Sequence, residues 1–480
     1  MRKKRRNLQQ MKKTLIALIT ILIFTACEKR ESLMQDYVQR EDDAFRYETA
    51  KVVDGESWQE YIIKMVSQQW LTPDEVAPVE WQHWLTIVIP DEVEETEALM
   101  VIGGGSHKDD MPESANPALV QVAMATKSIV ADITNIPFQP VEYINDAAGE
   151  RYEDALIAYG WRKFLEGGAK DEDAKWLARL PMTKAVVRGM DVVQKVSASA
   201  GKPVDRFVTT GASKRGWTVW TTAVTDDRVM AIIPIVIDML NVTPSFDHHW
   251  KCYGQWSPAI DDYVNEGIMD WMGSGQFDRL MEIVEPYSFI DQLKLPKFLI
   301  NATGDEFFVT DSWRFYWDDL PGEKYLQYIP NTNHGLTGVD EEYDLRSLTA
   351  FYKAVISETD LPRFEWHVSG DSIFAEINYS ANADYRLTQW EAVNEEGRDF
   401  RVGVIGRTWT ATSIAREEDG NYSIGITAPE EGYKAGLLEV VFNPDSDLPF
   451  TFTTGTVVTP DIYPFNGFVS EAPKGTTISR

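Results

Sequence analysis

Residues 205–217 have the pattern of a strand that runs into a sharp turn and is followed at once by a helix. β-branched residues precede Gly211, and a helix-compatible stretch covers residues 217–224. Glycines on both sides of Ser213 let the backbone bend, and such a turn holds a serine above the carboxyl edge of a parallel sheet. The second glycine, Gly216, comes one residue later than in the common Gly-x-Ser-x-Gly pattern. The segment predicts an α/β fold and makes Ser213 a candidate nucleophile, the alternative being an ordinary Gly-Ser turn.

A nucleophilic serine requires a base and a carboxylate that orients this base, and both follow along the chain. Asp305 comes after the buried strand pattern of residues 295–303, and His334 comes after the strand pattern of residues 325–329. The order Ser213, Asp305, His334, with each residue in a loop after a strand, is that of α/β-hydrolases. The chain has only six histidines, so a histidine in this position favours a catalytic base over an ordinary loop residue.

Two other carboxylates compete for the orienting role. Glu306 is adjacent to Asp305, and Asp238 closes the strand pattern of residues 230–237, from which some hydrolases of this fold present their acid. We favour Asp305 because its loop directly precedes the strand that delivers His334, and because a glycine before it permits a tight turn.

A glycine-rich turn follows the early strand pattern of residues 98–102. The turn is Gly-Gly-Gly-Ser-His, and this fold places one backbone donor of the oxyanion hole there. We therefore predict an oxyanion hole from the amides of Gly105, Ser106 and Lys214. A phosphate-binding loop is the alternative, and it is disfavoured because no Gly-Lys-Ser/Thr follows. A pocket role is expected for His107 rather than that of the base.

Residues 246–293 lie between the strand patterns that end at Asp238 and begin at residue 295, which is the usual place for a cap. The segment is rich in aromatic residues, which suit the wall of a pocket over the nucleophile. His248 and Trp256, together with His107 and Asp238, are predicted to line this pocket. The alternative for most of the rings is that they pack the interior of the cap.

Four segments, in order along the chain, carry a family pattern: residues 210–217, 234–241, 302–308 and 330–334. They resemble the PhoPQ-activated pathogenicity-related protein family. The resemblance runs from about Tyr37 to Pro464 and implies a serine-hydrolase-like fold with Ser213, Asp305 and His334 in the triad roles. The turn at the serine also resembles that of glucuronoyl esterases, in which an arginine directly after the nucleophile assists the oxyanion. In this chain the position is occupied by Lys214, so a compact ammonium group replaces the planar guanidinium group.

The first residues have the pattern of an export signal. Residues 2–6, 12 and 13 are basic, residues 14–26 form a short apolar run, and Phe-Thr-Ala before Cys27 resembles a lipobox. We predict a signal peptide over residues 1–26, a lipid on Cys27, and a location at the cell envelope. A simple secretory signal or an uncleaved anchor would give almost the same topology. The polar residues 28–46 are predicted to be a tether.

Composition excludes several classes of partner. The formal net charge is −29, and loss of the seven basic residues before Cys27 would make it −36. This balance argues against binding of nucleic acid or of anionic lipid by charge. With Cys27 lipidated, only Cys252 remains, so no intramolecular disulfide is expected. We expect no cofactor. We also expect no metal, because no cluster of Cys, His and carboxylate residues has the spacing of metal ligands, and the nearest approach is Asp-His-His at residues 247–249.

Three regions follow the N-terminal segment of residues 27–57. Residues 58–360 are predicted to form an α/β-hydrolase domain, a mostly parallel sheet with helices on both faces. Period-two strand patterns predict a β-sandwich of fibronectin type over residues 361–464. Residues 465–480 are predicted to be a tail, of which residues 471–480 are frayed.

Two functions remain open at this point. One is a serine hydrolase that cleaves an ester or amide in a small molecule, a glycan ester or a peptide. The other is a surface-anchored binding protein on a hydrolase scaffold.

Overall fold

The computed structural model describes residues 32–338, 341–378 and 384–476. The predicted signal peptide and its lipidation site, Cys27, lie outside these residues. The strands are β1 Arg46–Asp54, β2 Trp58–Gln69, β3 Val76–Ala77, β4 Glu80–Pro90, β5 Glu97–Ile102, β6 Ile129–Ile133, β7 Val141–Tyr143, β8 Glu150–Arg151, β9 Arg206–Ala212, β10 Val229–Ile235, β11 Lys297–Ala302, β12 Lys324–Ile329, β13 Arg363–Ser369, β14 Ser372–Asn378, β15 Tyr385–Asn394, β16 Thr410–Ile414, β17 Asn421–Gly425, β18 Tyr433–Phe442, β19 Phe450–Thr453 and β20 Val457–Thr459. The helices are α1 Leu33–Gln39, α2 Pro117–Thr126, α3 Glu153–Glu166, α4 Arg179–Ser199, α5 Lys214–Thr225, α6 Val242–Tyr253, α7 Asp261–Asn265, α8 Gly275–Val284, α9 Glu341–Ile356 and α10 Val402–Ile405.

The central sheet has the strand order β1-β2-β4-β6-β5-β9-β10-β11-β12. The strands β6, β5, β9, β10, β11 and β12 run parallel to one another, whereas β1, β2 and β4 pair with antiparallel neighbours. The exchange of β5 and β6 in space, with an antiparallel strand beside them, is the arrangement of the α/β-hydrolase fold. The fold class predicted from the sequence is therefore confirmed.

Apolar residues on both faces of the parallel strands explain why helices cover both sides of the sheet. Every residue of β11 is buried. Helices α4 and α5 pack on one face, where Val193 and Trp220 join the larger core. Helices α2 and α9 pack on the other face, where Val122 and Phe351 join a second core. The carboxyl ends of the strands, where the predicted site residues lie, are left open between these layers.

The C-terminal region forms two antiparallel sheets. One has the order β13-β14-β17, and the other has the order β16-β15-β18-β19 with β20 beside β18. They lie against the far edge of the central sheet: the amide of Tyr328 in β12 donates to Thr453 Oγ1 at 2.9 Å, and Trp313 Nε1 donates to the carbonyl of Thr456 at 2.9 Å. The specific resemblance to a fibronectin domain stays a prediction.

Two predictions about irregular segments are wrong. The tether predicted for residues 28–46 contains α1, whose Met34 and Val38 are buried against the core. The tail predicted from residue 465 packs against the cap, where Phe468 contacts Trp250 and the amide of Lys474 donates to the carbonyl of Asp270 at 2.7 Å. Apolar side chains in both segments gain burial that a count of charged residues does not reveal. Across residues 32–338, 341–378 and 384–476, no helix has the length and apolar character needed to span a bilayer.

Candidate active site

Ser213 occupies a strained turn between β9 and α5. Its backbone has φ 59° and ψ −124°, a conformation that is costly for a residue with a side chain and that is common at functional turns. The Ser213 amide donates to the carbonyl of Ile235 at 2.8 Å, which ties the turn to β10. A Cβ atom on Gly216 would lie 2.8 Å from Ile237 Cγ2 and 3.0 Å from the carbonyl oxygen of Gly211. The late glycine is therefore needed for close packing of the helix against the strand.

His334 lies between the serine and a carboxylate. Its Nε2 is 2.8 Å from Ser213 Oγ, and its Nδ1 is 2.8 Å from Asp305 Oδ2. The Asp305 carboxylate also accepts the amide of Phe307 at 2.7 Å and is 3 % exposed. Burial raises the pKa of Asp305, and the adjacent His334 opposes that rise. With Nδ1–H donated to the carboxylate, Nε2 is free to accept the serine proton.

The two rival carboxylates make different contacts. Glu306 accepts the backbone amide of His334 at 2.9 Å, so it fixes the loop rather than the imidazole ring. Asp238 lies in the core, where the hydroxyl of Tyr316 donates to it at 2.5 Å and the hydroxyl of Tyr328 donates to its other oxygen. Burial raises the pKa of Asp238 to about 7. The predicted pocket role of Asp238 is wrong, because its carboxylate is enclosed by these two tyrosines.

The glycine-rich turn after β5 is held by hydrogen bonds to its carbonyl groups. The amide of Asn135 donates to Gly104 at 2.6 Å, and Gln139 Nε2 donates to Gly105 at 2.8 Å. Gly105 has φ 115°, which a residue with a Cβ rarely adopts. The Ser106 amide donates to Asp109 Oδ2 at 2.7 Å. The prediction that Ser106 supplies an oxyanion donor is therefore wrong, while the Gly105 amide stays a predicted donor.

His107 lies at the far side of this turn. Its Nε2 is 2.9 Å from the carbonyl oxygen of Pro140, and its ring stacks on Phe138 with centroids 4.9 Å apart. It does not line the cavities beside Ser213. The pocket role predicted for His107 is wrong, because a backbone carbonyl and an aromatic neighbour fix the ring.

Lys214 is the first residue of α5. A first-turn amide has no intrahelical acceptor, so this amide is suited to an oxyanion hole. Its buried ammonium group lies 2.8 Å from Glu153 and 3.0 Å from Asp154, and Arg215 Nη2 lies 2.5 Å from Glu153. Burial works against ionisation of Glu153, yet Arg215 and Lys214 lower its pKa to about 2. The lysine charge is therefore neutralised by carboxylates.

Two cavities meet at Ser213. The larger is an open cleft of about 410 Å³, and His334, Gly104 and Leu345 are among the residues that line it. The smaller has a volume of about 50 Å³ and is mostly apolar. Its lining includes Phe246, Ile260, Tyr263, Phe307, Phe308 and Trp217.

The cap supplies part of this wall, but not through the residues predicted from the sequence. His248 is 2.9 Å from Asp311 and 2.9 Å from the hydroxyl of Tyr463, and it is 1 % exposed. Trp256 packs among the rings of Trp250, Phe246 and Phe468. Both residues therefore fill the cap interior and its contact with the C-terminal region. The pocket predictions for His248 and Trp256 are wrong.

Within the part of the chain that the structure describes, no group of three His, Cys, Asp or Glu side chains is placed to hold a metal ion. His249 instead accepts the amide of Ser257 at 3.0 Å, and Asp247 pairs with Lys251.

Three residues near the serine have no sequence signal of their own. Glu153, Asp154 and Arg179 come from α3 and α4, at least 34 positions before Ser213. The charged face of an amphipathic helix normally faces solvent, so the sequence gives no reason to place these charges at a site. Only the packing of these helices beside α5 shows that Asp154 and Arg179 line a cavity with Ser213 and that Glu153 pairs with Lys214.

The chain is similar to a curated protein and to several solved structures. The chain is 33 % identical to "Autocrine proliferation repressor protein A" of Dictyostelium discoideum over 472 residues, which cover 93 % of this chain and 94 % of that protein. Among solved structures, an acetyl xylan esterase from Paenibacillus sp. R4 is 13 % identical with a TM-score of 0.47, covering 67 % of this chain and 92 % of that one. A glucuronoyl esterase from Solibacter usitatus is 13 % identical with a TM-score of 0.39, covering 67 % and 91 %.

The model of one protein family matches residues 34–401, which include the serine turn, both later loops and the cap. The chain belongs to the PhoPQ-activated pathogenicity-related protein family.

Proposed function

We propose that this chain is a serine hydrolase that cleaves an ester or amide bond through an acyl-enzyme. The observation that carries the proposal is the pair of contacts made by His334, 2.8 Å to Ser213 Oγ and 2.8 Å to Asp305 Oδ2. Both distances are within the hydrogen-bond reach required of a nucleophile and its base. The α/β-hydrolase fold places these residues at the carboxyl edge of the sheet, beside an open cleft.

The chemical steps follow from this geometry. His334 Nε2 takes the hydroxyl proton as Ser213 Oγ attacks the carbonyl carbon, and the carbonyl oxygen becomes an oxyanion. Amides of Lys214 and of the glycine-rich turn are the donors proposed for that oxyanion. The imidazolium, stabilised by Asp305, then protonates the leaving alcohol or amine, and an acyl-serine remains. Water activated by His334 releases the acid and restores the serine.

The substrate is proposed to be a small molecule, a glycan ester or a peptide. The acidic composition, with a formal net charge of −29, disfavours nucleic acid as a partner. We also propose that the protein is exported and attached to the cell envelope by a lipid on Cys27, on the basis of the N-terminal sequence.

Labelling with a fluorophosphonate tests the chemistry without knowledge of the substrate. The wild-type protein should form a stable adduct, whereas Ser213→Ala and His334→Ala should remain unlabelled. A folded wild-type protein that does not react would contradict the proposal.

A second candidate is a binding protein that retains the hydrolase scaffold. The name of the Dictyostelium relative supports this alternative, since it describes an effect on cell proliferation rather than a reaction. The two functions differ in their dependence on Ser213: a binding activity should survive Ser213→Ala, and a hydrolytic one should not.

A further inference from the structure

A buried, positively charged side chain lines the small cavity beside Ser213. Arg179 lines this cavity together with Ser213 and Lys214, and it is 3 % exposed. Its Nη1 donates to the carbonyl of Lys214 at 2.9 Å, and its guanidinium carbon lies 4.5 Å from the ring centre of Trp217. Its Nε has no hydrogen-bond partner among the described residues.

The three cations beside the cavity differ in their partners. Lys214 and Arg215 form ion pairs with Glu153 and Asp154. Arg179 forms no ion pair with a described carboxylate, although Asp154 also lines the cavity. The hydroxyl of Tyr263, which lies near the guanidinium, donates to Asp154 at 3.0 Å.

An unbalanced buried guanidinium is unfavourable unless an anion accompanies it. Desolvation lowers the pKa of Arg179, which reflects the free-energy cost of holding the charge there. A guanidinium presents a planar set of donors that matches a carboxylate, and such charged hydrogen bonds are stronger than neutral ones. The charge of Asp154 opposes this fall in pKa but Asp154 forms no ion pair with Arg179, so Nε remains available to an anion in the cavity.

We propose that the small cavity is an acyl subsite for a short acyl group that ends in a carboxylate, which Arg179 binds. This inference rests on the proposed hydrolase function. The acyl group is assigned to this side because it stays bound after the leaving group departs, and the open cleft gives the leaving group its exit. Since one water needs about 10–15 Å³ of such volume, the cavity of about 50 Å³ holds roughly three to five non-hydrogen atoms, which matches the part of a malonyl or succinyl group beyond its ester carbonyl.

Paired substrates test the subsite. The rates of hydrolysis of mono-4-nitrophenyl succinate and of the neutral 4-nitrophenyl pentanoate are compared as kcat/KM. The wild-type enzyme should prefer the succinate by about 10- to 100-fold, the range of a charged hydrogen bond. Arg179→Met should abolish this preference, and Arg179→Lys should retain part of it. Arg188→Met is the matched control, because Arg188 lies on the same helix and pairs with Asp191 away from the cavity.

A neutral fluorophosphonate separates this role from a structural one. Arg188→Met should react with it at the wild-type rate, and Arg179→Met should still be labelled, because Ser213 and His334 are unchanged in both variants. Loss of labelling in a folded Arg179→Met would mean that the arginine positions the Lys214 carbonyl and would overturn the proposal. A wild-type enzyme without preference for the charged ester, or an Arg179→Met variant that keeps it, would also overturn it.

Equilibrium binding keeps the subsite testable if the protein does not hydrolyse esters. Malonate or succinate should raise the Tm of Ser213→Ala, and the neutral succinamide should not, because ligands that bind only the folded state stabilise it. The double variant that also carries Arg179→Lys should show a smaller shift with succinate. Equal shifts with succinamide and succinate would contradict the subsite, whatever the outcome of the labelling experiment.

Discussion

The amide of Val402 donates a hydrogen bond of 3.0 Å to the carbonyl oxygen of Gly304, the residue before Asp305. Val402 belongs to the connection between β15 and β16, residues 395–409, in the C-terminal region. The same connection contacts the loop of His334: Arg407 donates to the carbonyl of Asn331 at 2.8 Å, and the amide of Trp409 donates to the Asn331 side chain at 2.9 Å. One connection therefore holds both loops, that of Asp305 and that of His334.

A substitution at Gly304 should disturb this contact. A Cβ atom there would lie 2.5 Å from Val402 Cγ2 and 2.9 Å from the backbone nitrogen of Val402, so Gly304→Ala must displace one of the two loops. We expect a loss of activity of about 100-fold, since small misplacements of catalytic groups are this costly. Gly397→Ala is the control, because its Cβ would meet nothing within 4 Å. Ester hydrolysis and urea unfolding of both variants measure the effect, and equal rates would contradict the role of the connection.

Removal of the serine or the base should abolish hydrolysis. Ser213→Ala removes the nucleophile and His334→Ala removes the group that accepts its proton, so each should reduce kcat on the order of 10⁴-fold or more. The double variant should be no worse than either single one, because the residues act as a unit. Rates with a 4-nitrophenyl ester, on protein shown to be folded by circular dichroism, provide the measurement. Additive losses would indicate that the two residues work independently.

Neighbouring carboxylates should differ in their effect. Asp305→Asn should slow the reaction by about 10³- to 10⁴-fold, because the amide would favour the wrong tautomer of His334. Glu306→Gln retains an oxygen that can accept the His334 amide, so we expect less than about a 10-fold loss. Comparison of kcat/KM for the two variants measures this difference. A greater loss in Glu306→Gln would assign the orienting role to Glu306.

Asp238 should make stability depend on pH. Its folded-state pKa of about 7 exceeds the ordinary value of 3.8, so between these values the folded protein binds a proton that the unfolded chain releases. This contribution to stability is complete at low pH and is lost as pH rises towards 7, at about 1 kcal/mol per pH unit. Asp238→Asn does not titrate and should gain stability relative to wild type over this interval. Urea unfolding at pH 5, 6 and 7 tests the sign, and a constant difference would refute it.

Cys27 should determine attachment to the membrane. Lipid modification depends on the thiol, so Cys27→Ser should remain unprocessed or should leave the membrane fraction, whereas a simple secretory signal would tolerate the change. Metabolic labelling with a fatty acid measures this directly. Equal label on both proteins, or none on the wild type, would contradict the lipoprotein hypothesis.

The sequence was sufficient for features that depend on local patterns. The strand and turn at Ser213, and the loops of Asp305 and His334, follow strands whose apolar runs are evident in the sequence. Partners that are distant in the sequence were not predictable. Lys214 pairs with carboxylates some 60 residues away, and the Ser106 amide is taken by Asp109 through the particular bend of the loop.

The cap shows the same limit. Its aromatic content was evident, yet which rings face the nucleophile depends on helix orientation. Phe246 lines the cavity, whereas His248, two positions later, is directed to Asp311 and Tyr463. Side chains two apart on a helix point in different directions, and composition alone does not decide which direction meets the site.

The contact between Gly304 and Val402 limits where the gene can recombine without loss of the site. A recombination breakpoint between residues 360 and 395 would join residues 304 and 331 to a connection encoded by another gene, and the loops of Asp305 and His334 would lose the hydrogen bonds that this connection donates. Among related genes, we therefore expect residue 304 and the connection of residues 395–409 to vary together and to be transmitted as one unit.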